Sequence, residues 1–269
     1  MKFSKNKISI AIPTYNSSKY VKDCLLPIAK SNLISEIVIN DDFSEEEDYK
    51  QLKNIISLFS YNTDIPIKIF RNSHNLGAFK NKLVAVQNCS SDIVYQLDSD
   101  NIPMKNIDKI ITKIQEFSEP QFLYLPSKIY QFTNKYKSSK FKSIYNKKYK
   151  VRLSKKNKII DTSIVKDFYK NNTPYTVDKN LGWVLNLGNF ITYKNIYLKF
   201  LKDVDIHDNS FFAADAMAIS YYFLKNNSKL QLIEGFYHYH RKRSDSVSFT
   251  SGENTKLSYD YFKENFLKL

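Results

Sequence analysis

Glycine is scarce in this sequence, with five in 269 residues. A GxGxxG dinucleotide turn or a GxxxxGK[ST] phosphate loop would take most of that supply, and neither pattern occurs. This argues against a Rossmann dehydrogenase and a P-loop NTPase. Cysteine is rarer still: Cys24 and Cys89 lie in no metal-ligand spacing, fall in stretches of helical character, and read as free thiols of a reducing compartment. Long apolar runs are absent as well. The charged N-terminus is followed only by the short run 8–12, interrupted by Ser9, which is too short for a signal-peptide core. Nothing approaches the roughly 18–20 apolar residues of a membrane span. The expectation is a soluble, cytoplasmic protein.

What is abundant is aromatic. Tyr (20) and Phe (19) bring the aromatic share to 15%, within a hydrophobic share of 42%. That supports a sizeable core in one large domain, or one domain with an appendage. The net charge of +14 is local: residues 135–158 hold eleven Lys or Arg and no acid, which leaves about +3 for the remainder. Tyr136, Phe141, Tyr145 and Tyr149 interleave with it. Such a run is a solvated insertion, or a surface for an anionic acceptor, an anionic membrane or nucleic acid.

The first 125 residues alternate short apolar runs with amphipathic ones. Strands are expected at 7–12, 36–40, 65–70, 92–97 and 122–125. Helices are expected from Ser17 or Ser18 through Ile28, then at 45–59, 76–88 and from Pro103 to about 117. This rhythm implies α/β architecture, with a mostly parallel sheet and helices on both faces. From 130 to 180 the periodicity weakens. Beyond it come a strand near 186–193, a helix over 213–225, a strand at 230–234 and an amphipathic tail at 254–269.

In such a sheet ligands bind beyond the carboxyl ends of the strands. Pro13, Thr14 and Tyr15 follow the first strand, Asp41 and Asp42 the second, and Asp98, Ser99 and Asp100 the fourth. All three groups converge on one rim, where the carboxylates require a compensating cation or donor. Asp42 suits acceptance of a uracil imide N–H with Tyr15 stacking on the base. Asp98 and Asp100 flank one residue and share a side if the segment is extended. Their hard oxygens suit Mg²⁺ or Mn²⁺, which would neutralise a diphosphate. An acidic pair at a strand end is otherwise an ordinary turn or helix cap.

Four segments carry a resemblance: Ile8-Ser9-Ile10-Ala11-Ile12-Pro13-Thr14-Tyr15-Asn16, Glu36-Ile37-Val38-Ile39-Asn40-Asp41-Asp42-Phe43-Ser44, Asn75-Leu76-Gly77-Ala78-Phe79-Lys80-Asn81, and Asp92-Ile93-Val94-Tyr95-Gln96-Leu97-Asp98-Ser99-Asp100. In this order and spacing, over roughly the first 105 residues, the chain resembles a family 2 glycosyltransferase of GT-A fold. The resemblance implies an inverting, metal-dependent transferase. Pro13, Thr14, Tyr15 and Asp42 would line the nucleoside pocket. Asp98, with Ser99, would contact ribose or diphosphate, and Asp100 would ligate Mn²⁺ or Mg²⁺. Lys80, where the family often has Arg, would approach the diphosphate, with Asn81 beside it. Phe43 departs from the usual Gly, and Lys80 lacks the bidentate fork of Arg.

The second half extends the resemblance. Phe211-Phe212-Ala213-Ala214-Asp215-Ala216-Met217 matches the segment that carries the family's base, which points to Asp215. A helix-start Asp complementing the dipole is the plainer alternative, and Asp205 and Asp208 compete for the role. The segment beginning Tyr237-His238-Tyr239-His240-Arg241-Lys242-Arg243 resembles a C-terminal lid. His238 or His240 would complete the metal's coordination, Arg241 or Arg243 would clamp the diphosphate, and Trp183 would stack on an acceptor sugar.

The expectation is one catalytic domain, with a nucleotide-sugar half at 1–125, a basic acceptor region at 126–180 and an acceptor and lid region at 181–269. Its partners would be a nucleotide-sugar donor, UDP-linked, and a glycan or glycolipid acceptor, with peripheral contact to an anionic membrane through 135–158. No nucleic acid partner is expected. The competing functions are a nucleotidyltransferase and a basic nucleic-acid or membrane-surface binding protein.

Overall fold

A computed structural model describes residues 7–117, 122–134, 145–153, 156–170, 179–204, 215–243 and 252–269. Within the basic run, residues 135–144 and 154–155 lie outside these, as do Asp205, His207 and Asp208.

The first half follows the expected alternation: β1 (Ile8–Thr14), α1 (Ser18–Leu25), β2 (Ile34–Asp41), α2 (Glu46–Ser60), β3 (Ile67–Arg71), α3 (Ala78–Gln87) and β4 (Ile93–Gln96). Then come β5 (Ile102–Pro103), α4 (Ile107–Gln115), β6 (Phe122–Asn134), β7 (Tyr145–Arg152), β8 (Lys158–Ile160) and α5 (Thr162–Lys170). The remainder is α6 (Lys179–Leu185), β9 (Phe190–Tyr193), α7 (Lys194–Leu201), α8 (Asp215–Lys225), β10 (Lys229–Arg241) and α9 (Gly252–Lys268). The strands form one sheet in the order β3-β2-β1-β4-β9-β6-β10-β5, with β7 on β6 and β8 on β10. β1, β2, β3 and β4 pair in parallel, as do β6 and β10. β9 runs antiparallel between β4 and β6.

Alternation in β1 shows how the core divides. Ile8, Ile10 and Ile12 pack on one face with α1, α2 and α4. Ala11 packs on the other, with α3, α6, α7, α8 and α9. Both faces are covered, so β1 and β4 are buried along their whole length. The small side chains of Ser9 and Ala11 let α3 approach closely. Cys24 and Cys89 are buried free thiols, and burial pushes the Cys89 thiol up to about 12. Among the described residues no helix is long and apolar enough to cross a membrane.

Three expectations change. Pro103 does not open a helix: it sits in β5 opposite His238, and α4 begins at Ile107. The expected fifth strand continues to Asn134, so β6 runs through the expected division at residue 125. The expected 230–234 strand likewise extends to Arg241 along β6. In both cases backbone pairing with a long neighbour carries polar sequence into the sheet.

At the end of the sheet opposite the ligand rim, Glu36 joins four segments. Its carboxylate accepts from Ser9 Oγ (2.7 Å), Ser90 Oγ (2.6 Å), the Ser90 amide (2.5 Å) and Lys68 Nζ (2.7 Å). Burial works to raise this carboxyl, but the bonds from Lys68, Ser90 and Ser9 prevail and hold it at about 2. A depressed folded-state value contributes stability above the ordinary carboxylate range and loses it as pH falls toward 2. Glu36→Gln should therefore lower stability by about 1 kcal/mol at pH 7. Thermal denaturation should show the gap to wild type closing between pH 4.5 and 2; a gap that persists at pH 2 would contradict this role.

Candidate functional site

The loops beyond β1, β2 and β4 open onto a cleft of about 900 Å³. Pro13, Thr14, Tyr15, Asp42, Asn81, Asp98, Ser99, Asp100, Trp183, Asp215, His240, Arg241 and Arg243 all line it. Of the expected site residues, Lys80 and His238 do not.

On the donor side, polar clips set the rim. Asn16 donates its amide to Ser44 Oγ (2.8 Å) and accepts from the Glu45 amide (2.9 Å), which joins the β1 and β2 loops. Ser17 stands at the N-cap of α1, where its carbonyl accepts the Tyr20 amide (3.0 Å), but its side chain caps no helix amide. Its hydroxyl instead bridges Thr14 Oγ1 and Ser99 Oγ, each at 2.8 Å. Phe43 adopts φ +61°, a left-handed conformation that costs a non-glycine residue roughly 1–2 kcal/mol. The turn is thus retained without glycine. Asp41 accepts from the Ser44 amide (3.2 Å) and hydroxyl (2.5 Å), and the Arg71 guanidinium lies beside the Phe43 ring. Asp41 is wholly buried and also pairs with Arg71, so it faces away from the cleft.

Asp42 anchors the loop leading into α3. Its Oδ1 accepts from the Leu76 amide (2.8 Å) and Asn72 Nδ2 (2.8 Å), and its Oδ2 from the Gly77 amide (2.9 Å). Gly77 has φ +82°, which suits glycine. A carboxylate offers about four acceptor positions, so one stays open on Oδ2. Tyr15, 47% exposed, stands at the same rim. Asn81 is nearly buried and bonds Thr14 O, Asn40 O and Asn40 Nδ2, so it braces the loops from behind.

The Asp98 segment is a turn and not extended: the Asn101 amide donates to Asp98 O at 3.0 Å. The turn separates the two carboxylates. Asp98 pairs with Lys82 Nζ at 3.0 Å, and its amide donates to Asn189 Oδ1 at 2.7 Å. Asp100 pairs with Arg243 Nη1 at 3.2 Å. Burial pushes the Asp98 carboxyl up, opposed by Lys82 and reinforced by Asp100 and Asp215. Lys82 also pairs with Asp215 Oδ2 at 2.5 Å. Residues 80 and 82 are about 200° apart on a helix, so Lys80 points away while Lys82 lines the cleft.

The end of β10 closes the opposite side. Arg241 donates from Nε to Asp100 O (2.9 Å), from its amide to Asn101 Oδ1 (3.1 Å), and from Nη2 to Asp23 (2.9 Å). Its guanidinium lies against Tyr20 and Phe132. This arginine orders the Asp100 turn, while Arg243 is the one that meets the Asp100 carboxylate. His238 is buried among β5, β6 and β10, its Nδ1 has no hydrogen-bond partner, and burial lowers its pKa. It is therefore removed from the expected metal ligands. His240 reaches the cleft, with the Trp183 ring edge-on at 6.2 Å. Burial lowers its pKa against the pull of Asp100 and Asp98.

Among the described residues no three His, Cys, Asp or Glu side chains form a ready-made metal cage. Asp100 and His240 both line the cleft. Sequence reasoning missed Lys82, Gln131, Asn186, Gly188 and Tyr259, all of which line the cleft. Gln131 is nearly buried and its Nε2 has no partner, and Asn186 donates to Tyr259 Oη at 2.7 Å. For Lys82 a signal existed: it falls on the stripe of Phe79 and Val86, where a charge is out of place.

Residues 9–165 match the family described as Glycosyl transferase family 2. The chain belongs to that family. The abequosyltransferase RfbV of Salmonella typhimurium strain LT2 is 34% identical over 102 residues, 37% of this chain and 29% of that protein. Among solved structures, Staphylococcus aureus TarS residues 1–349 superimposes with TM-score 0.59 at 17% identity, covering 96% of this chain and 65% of that one. GalNAc-T7 with UDP, GalNAc and Mn²⁺ gives TM-score 0.59 at 16% identity, covering 98% and 52%. This family 2 chain thus spans under two thirds of the length of each of these proteins. At such identities the structural likenesses establish the GT-A fold alone.

Asp42→Ala removes three acceptor bonds from the loop before α3 and should cost this family 2 protein about 2 kcal/mol. The check is thermal denaturation without ligand, where a drop of about 4–8 °C is expected. An unchanged transition would show that the loop is anchored elsewhere.

Proposed function

We propose that the protein transfers a sugar from a UDP-sugar to a hydroxyl of a glycan or glycolipid acceptor, with inversion at the anomeric carbon. One observation carries this reading: a single cleft brings together a nucleoside rim (Tyr15, Asp42), a diphosphate region (Asp100, His240, Arg243) and a carboxylate at a helix start (Asp215). Family membership supports the reaction class. A structure of TarS in complex with UDP-GlcNAc, of the same fold, supports the donor type.

Tyr15 stacks on the base, and the open position of Asp42 Oδ2 accepts its imide N–H. Asp98 and Ser99 face ribose and diphosphate. Arg243 faces the departing phosphates, as a guanidinium suits paired phosphate oxygens. Asp100 and His240 would hold Mn²⁺ or Mg²⁺, which when bound supplies positive charge to the leaving group. Asp215 takes the proton of the acceptor hydroxyl as its oxygen bonds the anomeric carbon. The bond from that carbon to the diphosphate oxygen breaks on the opposite face, its electron pair leaves with UDP, and the configuration inverts. Trp183, beside His240, offers a ring face to the acceptor sugar.

A thermal-shift panel of nucleotides and nucleotide sugars, with and without Mn²⁺, tests the donor side. Metal-dependent stabilisation by UDP and one UDP-sugar is expected, and Asp100→Ala should remove the metal dependence. Stabilisation by no nucleotide would dismiss the reading. Asp215→Asn should bind UDP as wild type does yet lower turnover by about 10²–10⁴-fold. Wild-type turnover in that variant would reassign the base.

A further inference from the structure

The reaction above uses Asp215 but leaves Lys82 unexplained. The Lys82 side chain is only 7% exposed, and its Nζ lies 2.5 Å from Asp215 Oδ2 and 3.0 Å from Asp98 Oδ1. Burial alone would strip a lysine of its charge, but the Asp215 and Asp98 carboxylates outweigh that and raise its pKa. The two carboxylates thus favour the ammonium form.

A second feature, about a hundred residues away, is shaped around the same group. Gly188 does not have positive φ, so conformation does not account for its glycine. Space does. A Cβ there would run into the Asp98 carboxylate and lie 3.0 Å from Lys82 Nζ.

The two oxygens of Asp215 are placed differently. Oδ2 is closed off from solvent against Lys82, whereas the side chain as a whole lines the cleft and keeps 19% exposure. That exposure lies outside Oδ2. Nζ itself is nearly enclosed between two carboxylates, so its influence on an acceptor passes through Asp215.

Resting on the transferase reading, we propose that Lys82 is a positioning residue, holding Asp215 Oδ2 beside Asp98 so that the base presents Oδ1 to the acceptor hydroxyl. The proton then passes from that hydroxyl to Oδ1, and Lys82 keeps its own three protons throughout. Without the ammonium, Asp98 and Asp215 face each other with no cation between them and the base loses its fixed orientation.

The test is UDP release from a panel of UDP-sugars with Mn²⁺ and water as the acceptor. It compares wild type, Lys82→Met, Lys82→Arg, Asp215→Asn and the Lys82→Met/Asp215→Asn double variant. Misorienting a catalytic group costs about 100-fold, so Lys82→Met should lower kcat by that factor while donor KM moves less than about threefold. Lys82→Arg should recover part of the loss. The double variant should be no slower than Asp215→Asn alone, because a residue acting only through Asp215 has nothing left to position. Multiplying losses, or wild-type kcat in Lys82→Met, would overturn the proposal. Should Lys82→Met fail to fold, Gly188→Ala keeps every charge and displaces the cluster; it should lower kcat in the same way, and full turnover there would overturn the proposal equally. Wild-type turnover in Asp215→Asn would reassign the base and overturn the proposal with it, whereas a wild-type protein that releases UDP from no sugar would remove the transferase reading beneath it.

Discussion

The ammonium of Lys82 sits between a carboxylate at the end of β4 and one at the start of α8. The first belongs to the parallel half of the sheet and the second to the half that closes over it. Only the ammonium is buried, and the two partly exposed carboxylates offset its desolvation. The surroundings follow from that constraint. Gly188 leaves room for the cluster, and Asn189 fixes the Asp98 backbone. Asn101 reaches both the Asp98 carboxylate and, through its side-chain oxygen, the amide of Arg241. The cleft is organised outward from this point.

Near neighbours in the chain meet opposite fates around it. Asp41 is sealed against Ser44 and Arg71, while Asp42 keeps one acceptor position toward the cleft. Arg241 is consumed in ordering the turn at 98–101, and Arg243 meets the Asp100 carboxylate. His238 is enclosed in the sheet, and two residues later His240 reaches the cleft. Lys80 faces away from the cleft that Lys82 lines. In each pair a shift of one or two positions decides how the side chain is placed.

Much of this organisation is legible in the amino-acid pattern. β1 to β4 and the helices between them announce themselves because strands buried on both faces must be continuously apolar, and helices packed on one side must repeat every three to four residues. Their order places the residues after β1, β2 and β4 on one rim, and most of the expected site residues do line one cleft there. The second half is less legible. β6 and β10 carry Lys, Gln, Tyr and His along their far ends, and those residues are strand because they pair with each other and with β7 and β5. Pro103 suits a helix start because proline favours a first turn, yet pairing with His238 holds it extended.

The sequence by itself determined the α/β class, the family and which rim opens onto the cleft, because these depend on local periodicity and on motifs read along the chain. The tertiary structure decided that the turn at 98–101 divides its two carboxylates, that His238 is enclosed, and that Lys82 joins Asp98 to Asp215. The last of these depends on a fold bringing side chains 16 and 133 residues from Lys82 in the chain within about three ångströms of it. No local pattern encodes that distance.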